Sequence, residues 1–490
     1  MIFLFFAAAT ILRTLMFLSD KSFWGDEWFS IDLAQKPLWD VFWGSIHDVH
    51  PPGYFLLLKA AVGLWGPAER SFRLISFVAG LALPAAFYAL AKETVGKKEA
   101  LWGLFLVSLS PYWLQSANEV RSYAVFALVT CSATFCLVKA MPSERPGRWG
   151  VFYMLLAAGS VYIEHYAWFW FLAVNGYFIW SCFNHGQGRR VLGWHRAAVF
   201  LALPSLALTA YQALYREHLF DVRRLKEYAP LSVLVKKVFG VFWHYMNGYT
   251  FSMLTVEKVR ALAAGSVFFW ASALMALGGV VVMIAGFRTF LSERRGLFIL
   301  CLGAFLFPLI FLSVFYPIRL DARYLIFSAP FFFLALSAGL LRLPRPARLI
   351  FLGLYAWVAL AGSALAISSR TDMVHKEDFK AMAVYVLDHA GEKDAICGSM
   401  LQNEFYLKRF GRDFRGTPFV TPAEFLSGPT ESFERVWVME TANMDGRVAG
   451  TAYAVLKDSM AQAGFLRARE PVFFGGPEAL TQLYLFERTV

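Results

Sequence analysis

Gly53-Tyr54-Phe55-Leu56-Leu57-Leu58-Lys59-Ala60-Ala61-Val62-Gly63-Leu64-Trp65-Gly66 is the stretch whose reading decides the topology of this chain. It is apolar, yet counting it as a membrane crossing would put Lys92, Lys97 and Lys98 on the outer side of the bilayer. Every later basic cluster would follow: Arg145/Arg148, Arg189/Arg190/Arg196, Arg288/Arg294/Arg295 and Arg342/Arg345/Arg348. These cations sit in short connectors between apolar runs, and cytoplasmic connectors carry such an excess of Lys and Arg. Read as an interfacial or re-entrant helix, 53–66 leaves all five clusters inside.

The runs around it define the class. Of 490 residues, 58% are hydrophobic, 17% aromatic and only 17% charged, where a soluble domain has about 25% charged. Apolar runs of roughly 20 residues, the length that crosses a hydrocarbon core of ~30 Å, recur at 1–19, 71–91, 99–115, 121–141, 149–163, 166–183, 196–214, 263–287, 296–315, 324–341 and 348–368. The chain is therefore expected to be an all-α polytopic membrane protein of about 11 transmembrane helices plus interfacial helices. Residues 149–183 are read as a hairpin, because one helix of that length would run about 50 Å. The first run lacks a basic flank and is interrupted by Arg13, so an uncleaved helix is expected rather than a signal peptide. At a helix centre Arg13 costs roughly 2.5–3.5 kcal/mol on insertion scales, which predicts that it faces the bundle or snorkels.

The net charge of +11 does not indicate nucleic acid, because the cations lie in connectors and form no basic stripe with interleaved aromatics. Four of the five cysteines lie in apolar runs and Cys397 stands alone, which describes no disulfide framework. This topology places outside the segment 20–70, the Asn118–Arg121 turn, Glu164-His165, the loop 215–262, the Tyr316–Arg323 turn and everything after about 369. Loop 215–262 departs from the charge rule with Arg216, Arg223, Arg224, Lys226, Lys236 and Lys237; long loops count less in that rule, and external cations suit an anionic lipid. A membrane domain is thus expected over 1–370. Residues 371–490 change character: helices over Glu377–His389 and Ala452–Gly464 alternate with strands over Asp394–Ser399, Val436–Glu440 and Leu483–Glu487, a small external α/β domain. No Gly-rich phosphate loop and no internal repeat is present in the sequence.

Charged groups gathered at a membrane surface are the first place to look for chemistry. Trp24-Gly25-Asp26-Glu27, then Asp48-Val49-His50-Pro51-Pro52-Gly53-Tyr54, Arg70 and Arg73, Ser110-Pro111, and Glu119-Val120-Arg121-Ser122-Tyr123 resemble the loop motifs of bacterial GT-C glycosyltransferases. The group in question is the protein-mannosyltransferase-related family, which includes rhizobial lipopolysaccharide galacturonosyltransferases and is similar to aminoarabinose transferase. Arg319–Tyr324 resembles its late external arginine turn. The resemblance is strongest over residues 20–130 and poor in the tail. It implies an enzyme of the bacterial inner membrane that moves a sugar from a polyprenyl-phosphate donor to a lipid, glycan or protein acceptor at the outer face.

Roles follow from that resemblance together with the chemistry of the residues. An acceptor hydroxyl needs a base, and a carboxylate at a partly desolvated interface has a raised pKa suited to the task. Asp26 is the candidate, with Glu27 orienting acceptor or sugar; the alternative is that Asp26 caps a helix beginning at Glu27. Arg319 and Arg323, then Arg121, offer bidentate forks for the lipid phosphate, against ordinary snorkelling at a helix end. Direct displacement would invert the anomeric centre. Asp48, His50, Glu119, Tyr123 and His165 complete the expected substrate site. Plainer readings stand beside them: an ion pair of Glu119 with Arg121, a polar hairpin turn at Glu164-His165, and an interfacial belt for Trp168 and Trp170. No cofactor is required. His47-x-x-His50 with Glu119 or His165 reads alternatively as a divalent cation site, although Pro51-Pro52 disturbs its geometry. A lipid or glycan transporter, or a non-catalytic envelope scaffold, is the rival from another class. Transporters often show repeat symmetry and broken helices at the midplane, whereas here the ionisable residues gather outside the membrane core and no repeat is visible in the sequence.

Overall fold

The computed structural model describes residues 1–48, 50–184, 187–215, 231–249, 263–315, 321–369, 378–398, 401–410, 419–420, 422–428, 430–441, 457–468, 472–474 and 481–488. Two compact units emerge, Met1–Ser19 with Ser30–Ile367, and Asp20–Phe29 with Ser368–Val490.

The first unit is helical. It holds α1 (Ile2–Leu18), the later part of α2 (Gly25–Gln35), α3 (Leu38–His47), α4 (Gly53–Trp65), α5 (Glu69–Thr94), α6 (Lys97–Leu109), α7 (Pro111–Ser116), α8 (Tyr123–Ala140), α9 (Gly147–Ile163), α10 (Ala167–Asn184), α11 (Leu192–Tyr215) and α12 (Leu231–Asn247). There follow α13 (Ala263–Glu293), α14 (Arg295–Cys301), a π-helical stretch over Leu302–Leu306, α15 (Phe307–Phe315), α16 (Ala329–Leu340) and α17 (Arg345–Ser368). Each of the eleven expected segments is helical. Among the described residues six helices are long and apolar enough to cross a bilayer: Glu69–Thr94, Tyr123–Ala140, Gly188–Gln212, Val267–Glu293, Arg295–Ser313 and Arg345–Ser368. The chain is a multi-pass α-helical membrane protein. Helix α4, at 13 residues, is about 20 Å long and falls short of the hydrocarbon core.

The expected unbroken span 99–115 is cut in two. Ser110 takes φ −58 and ψ 120, and Pro111 opens α7 in a new direction. A residue before proline is pushed out of the helical region, and proline offers no N–H to the turn behind it. Arg13 faces the bundle, as expected, at 1% exposure.

At the centre lies α16, every residue of which is buried. Glycines let its neighbours approach. A Cβ on Gly286 of α13 would stand 1.9 Å from the Ala335 carbonyl oxygen, and one on Gly103 of α6 would stand 2.2 Å from Ser337 Oγ. In lipid, helices associate through such small-residue contacts rather than through burial of oily side chains.

The second unit carries a mixed sheet of β1 (Asp394–Gly398), β2 (Phe419–Val420), β3 (Arg435–Thr441), β4 (Phe465–Arg467), β5 (Val472–Phe474) and β6 (Thr481–Arg488), with α18 (Phe379–His389), α19 (Leu401–Phe410) and α20 (Pro422–Ser427). The order runs β2-β1-β3-β6, and β4 and β5 both pair with β6. Strand β1 is parallel to β2 and β3, while β6 runs antiparallel to β3 with Val438 opposite Tyr484. Asp394 ties β1 to β3 by accepting from Arg435 Nε at 2.9 Å and Trp437 Nε1 at 2.8 Å. The sequence anticipated α18, β1, β3 and β6. It missed α19, α20, β2, β4 and β5, whose short segments show no clear period; of the expected helix Ala452–Gly464, residues 452–456 lie outside the described residues.

Residues 20–29, expected within the membrane domain, pack with this second unit. The Phe23 amide donates to Tyr406 Oη at 2.8 Å, the Lys380 amide to Ser22 Oγ at 3.3 Å, and Trp28 lies 5.0 Å from the Phe405 ring. Sequence separation of more than 350 residues hid these contacts.

Glycine packing around α16 can be tested directly. Gly286→Ala should destabilise the purified protein by about 1–3 kcal/mol, the usual overpacking range. Gly353→Ala, where a Cβ meets nothing within 4 Å, should be neutral or mildly stabilising. Thermal unfolding in detergent compares the two.

Candidate functional site

Pro52 and Gly53 start α4, and a Cβ on Gly53 would stand 2.4 Å from the Tyr162 carbonyl oxygen at the end of α9. Only glycine allows this approach, which brings His50 beside the turn after α7. There Arg121 Nη2 lies 2.9 Å from His50 Nε2. A guanidinium can only donate, so Nε2 accepts and the His50 proton sits on Nδ1, an assignment made from this geometry. The ring is therefore neutral. Asp48 Oδ2 lies 3.8 Å from the same nitrogen.

Arg121 is 7% exposed, and its Nη1 reaches Ser30 Oγ at 3.5 Å. The next residue, Ser122, donates to Glu164 Oε2 at 2.9 Å, while the His165 amide donates to Glu164 Oε1 at 3.1 Å. Burial pushes the Glu164 carboxyl up, against the opposing pull of Ser122, Arg121 and His165. His165 is driven down to about 4 by burial, with the Gln212 hydrogen bond acting the other way. Gln212 closes the cluster. Its Oε1 accepts from His165 Nε2 at 2.7 Å, and its Nε2 faces the carbonyls of Ile46 at 3.1 Å and His50 at 3.3 Å. The remaining space beside His50, Tyr54, Phe55, Arg121, Ser122 and Ile163 measures about 10 Å³, room for one water.

The second concentration of charge is the turn after residue 320. Asp321 accepts from the Arg323 amide at 2.8 Å, from Arg323 Nη2 at 3.4 Å and from Tyr249 Oη at 3.0 Å. Burial alone would raise the Asp321 carboxyl. The charges of Arg323 and His244 and the Arg323 hydrogen bonds outweigh it and hold the carboxyl well below the usual range. Burial would likewise lower Arg323, but the charge of Asp321, with Tyr123, Tyr249 and Glu119, keeps it firmly protonated. Helix α7 binds this turn through Tyr112 Oη, which donates to the Ala322 carbonyl at 2.8 Å, and binds its partner Tyr249, whose amide donates to Gln115 Oε1 at 2.6 Å.

Six of the expected residues thus gather in the first unit: His50, Glu119, Arg121, Tyr123, His165 and Arg323, with Asp48 alongside. Glu119, at 2% exposure, acts electrostatically on Tyr112, Tyr123 and Arg323. Arg319 lies outside the described residues. Among those described, no three His, Cys, Asp or Glu side chains group as metal ligands, and His47 stacks on Trp43 at 5.9 Å. Trp170, expected in an interfacial belt, is instead fully buried and donates to Thr134 Oγ1 at 3.1 Å. Sequence reading missed Gln115, Gln212, Tyr249 and Asp321. Of these only Asp321, two residues from Arg323, had a local signal.

Asp26 and Glu27 open α2 in the second unit. Asp26 is exposed, so the protein itself does not supply the desolvation expected for it. Glu27 is the buried one, at 0% exposure. The capping alternative also passes to Glu27: the helix starts at Gly25, and Glu27 Oε2 accepts from the Trp24 amide at 3.2 Å. A glutamate reaching back over the first turn satisfies an otherwise orphaned donor.

A depressed histidine contributes stability above its unfolded pKa, and that contribution is lost as pH falls toward the folded value. For His165 the window runs from about 6.5 down to about 4. Thermal midpoints measured between pH 7.5 and pH 4.5 should fall less steeply in His165→Gln than in the wild type.

Comparison with known proteins places these features in context. Residues 49–208 match the model of the dolichyl-phosphate-mannose-protein mannosyltransferase family, a range containing His50, Glu119, Arg121, Tyr123 and His165. Comparison with curated proteins returns no match. ArnT from Cupriavidus metallidurans bound to undecaprenyl phosphate superimposes with a TM-score of 0.57 at 13% identity, over 99% of this chain and 97% of that one. The apo form of the same protein gives 0.56 at 12% identity with the same coverage. The apo oligosaccharyltransferase of Archaeoglobus fulgidus gives 0.52 at 11% identity, over 93% of this chain and 71% of that one. The chain thus shares the fold of these two proteins over nearly its whole length, and residues 49–208 resemble the mannosyltransferase family.

Proposed function

We propose that this protein is a membrane glycosyltransferase that moves a sugar from a polyprenyl-phosphate donor to a lipid, glycan or protein acceptor at the outer face of the bacterial inner membrane. The observation that carries this reading is the convergence of Arg121, His50, Glu119 and the Asp321–Arg323 turn on the end of a GT-C bundle where α4, α7, α8 and α16 begin. The undecaprenyl phosphate in the matching ArnT structure supports the choice of donor chemistry.

The step is a direct displacement. The acceptor hydroxyl oxygen attacks the anomeric carbon, the bond from that carbon to the phosphate oxygen breaks, and its electron pair leaves with the lipid phosphate. The configuration inverts. The hydroxyl proton passes to a carboxylate, and Asp26 is the proposed base, with Glu27 holding the loop that carries it. The phosphate is already a weak base, so cations suffice on the leaving side. Arg323 and Arg319, with Arg121 in support, are the proposed holders. Arg323 is suited to this by Asp321, which fixes its fork in place. Asp48, His50, Tyr123 and His165 are proposed to line the substrate site, and no cofactor takes part.

Proteoliposomes supplied with radiolabelled polyprenyl-phosphate hexoses and a membrane extract as acceptor source test the reading. Wild type should transfer label, and Asp26→Asn should lose about 10²- to 10⁴-fold, the usual contribution of general base catalysis. Equal transfer by both would remove Asp26 as the base and leave the enzyme class standing. Failure of wild type across a full donor and acceptor panel would move the transporter and scaffold readings ahead.

A further inference from the structure

The break between α6 and α7 leaves the last carbonyls of a membrane helix to be satisfied by something other than the helix. Pro111 has no N–H to offer Val107, and the turn at Ser110 carries the following amides out of line. Lipid offers no hydrogen bond to fill the gap. Two side chains from elsewhere do so. Arg13 of α1 donates from Nη2 to the Val107 carbonyl at 3.2 Å and from Nη1 to the Ser108 carbonyl at 3.2 Å. Tyr355 of α17 donates to the Leu106 carbonyl at 2.7 Å. Three successive carbonyls are thus capped by two helices remote in sequence. Arg13 Nη1 also donates to the Ala9 carbonyl, one turn back in its own helix, at 3.2 Å.

What the cap holds gives it consequence. Helix α7 binds the 321–325 turn through Tyr112 and the 248–249 turn through Gln115, and it runs directly into the turn bearing Glu119 and Arg121. The angle at which α7 leaves α6 therefore sets the spacing among Glu119, Arg121 and Arg323. We propose that Arg13, assisted by Tyr355, is a positioning residue that fixes this angle by capping the broken end of α6. Its link to catalysis rests on the transferase reading above; its structural part does not.

Backbone hydrogen exchange followed by mass spectrometry on the full-length protein in detergent tests the structural part without any activity. In Arg13→Met, amides of residues 110–122 should exchange roughly tenfold faster or more, the factor that loss of one ordinary hydrogen bond supports. Those of α5 and α8 should be unchanged. Arg13→Lys keeps the charge but loses the fork, so it should fall between. Should Arg13→Met fail to accumulate, Tyr355→Phe removes a single hydroxyl and should loosen the same stretch. Unchanged exchange at 110–122, or acceleration spread equally over α5 and α8, overturns the proposal. In the transfer assay the rank order wild type, Arg13→Lys, Arg13→Met is expected, and an unranked series would overturn the catalytic link. Absence of transfer by wild type would instead count against the transferase reading, leaving the exchange result to stand.

Discussion

Satisfaction of backbone polar groups inside an apolar medium is the constraint on which this structure depends. An intact helix meets it alone, and most of the first unit consists of such helices. The chain departs from that rule at Ser110-Pro111, where α6 stops short and α7 turns away. A broken helix is tolerated in a bilayer only where protein groups take over the freed carbonyls. Arg13 and Tyr355 take them over, and the displaced α7 then becomes the element to which two separate turns are hydrogen-bonded. An arginine that is expensive in lipid and a proline that is disruptive in a helix thus explain each other.

Charge in the candidate site is organised by neutralisation. His50 accepts from Arg121 and so remains neutral beside it. His165 is held neutral by burial, and Arg323 is fixed by Asp321. Isolated buried charges are costly, and pairing or deprotonation removes the cost. What remains is a set of cations whose orientation is set by neighbours rather than by solvent, an arrangement that suits the anionic lipid headgroup of the proposed donor.

The acidic pair Asp26-Glu27 divides its work. Glu27, buried and bonded to the Trp24 amide, secures the start of α2. Asp26, one position earlier, stands exposed. Adjacent helical residues point about 100° apart, so one carboxylate is buried while its neighbour faces outward. The segment packs with the C-terminal unit through Tyr406, Lys380 and Phe405, which ties the geometry of the proposed base to a region with little motif resemblance to other proteins.

The helical class, the eleven apolar segments, the hairpin at Glu164-His165 and the small α/β tail were legible in the sequence. Each rests on a property local to its own residues: hydropathy over a window, a basic connector, a change of period. His50, Glu119, Arg121 and Arg323 stood out for a related reason, since their types and spacing resemble a known pattern, and His165 stood out as a polar residue in a hairpin turn. Only the tertiary structure decided which of them meet. Gln115, Gln212, Tyr249 and Asp321 act through partners up to 167 positions away, and Lys380 and Tyr406 reach residues 20–29 over more than 350. The purpose of Arg13 belongs to the same class, because the carbonyls it caps lie 94 and 95 positions away. No local rule encodes such distances. They follow from the order in which helices pack, which is set by close glycine contacts such as Gly286 against Ala335 and Gly103 against Ser337. Sequence determined what each segment is; packing determined what each polar side chain is for.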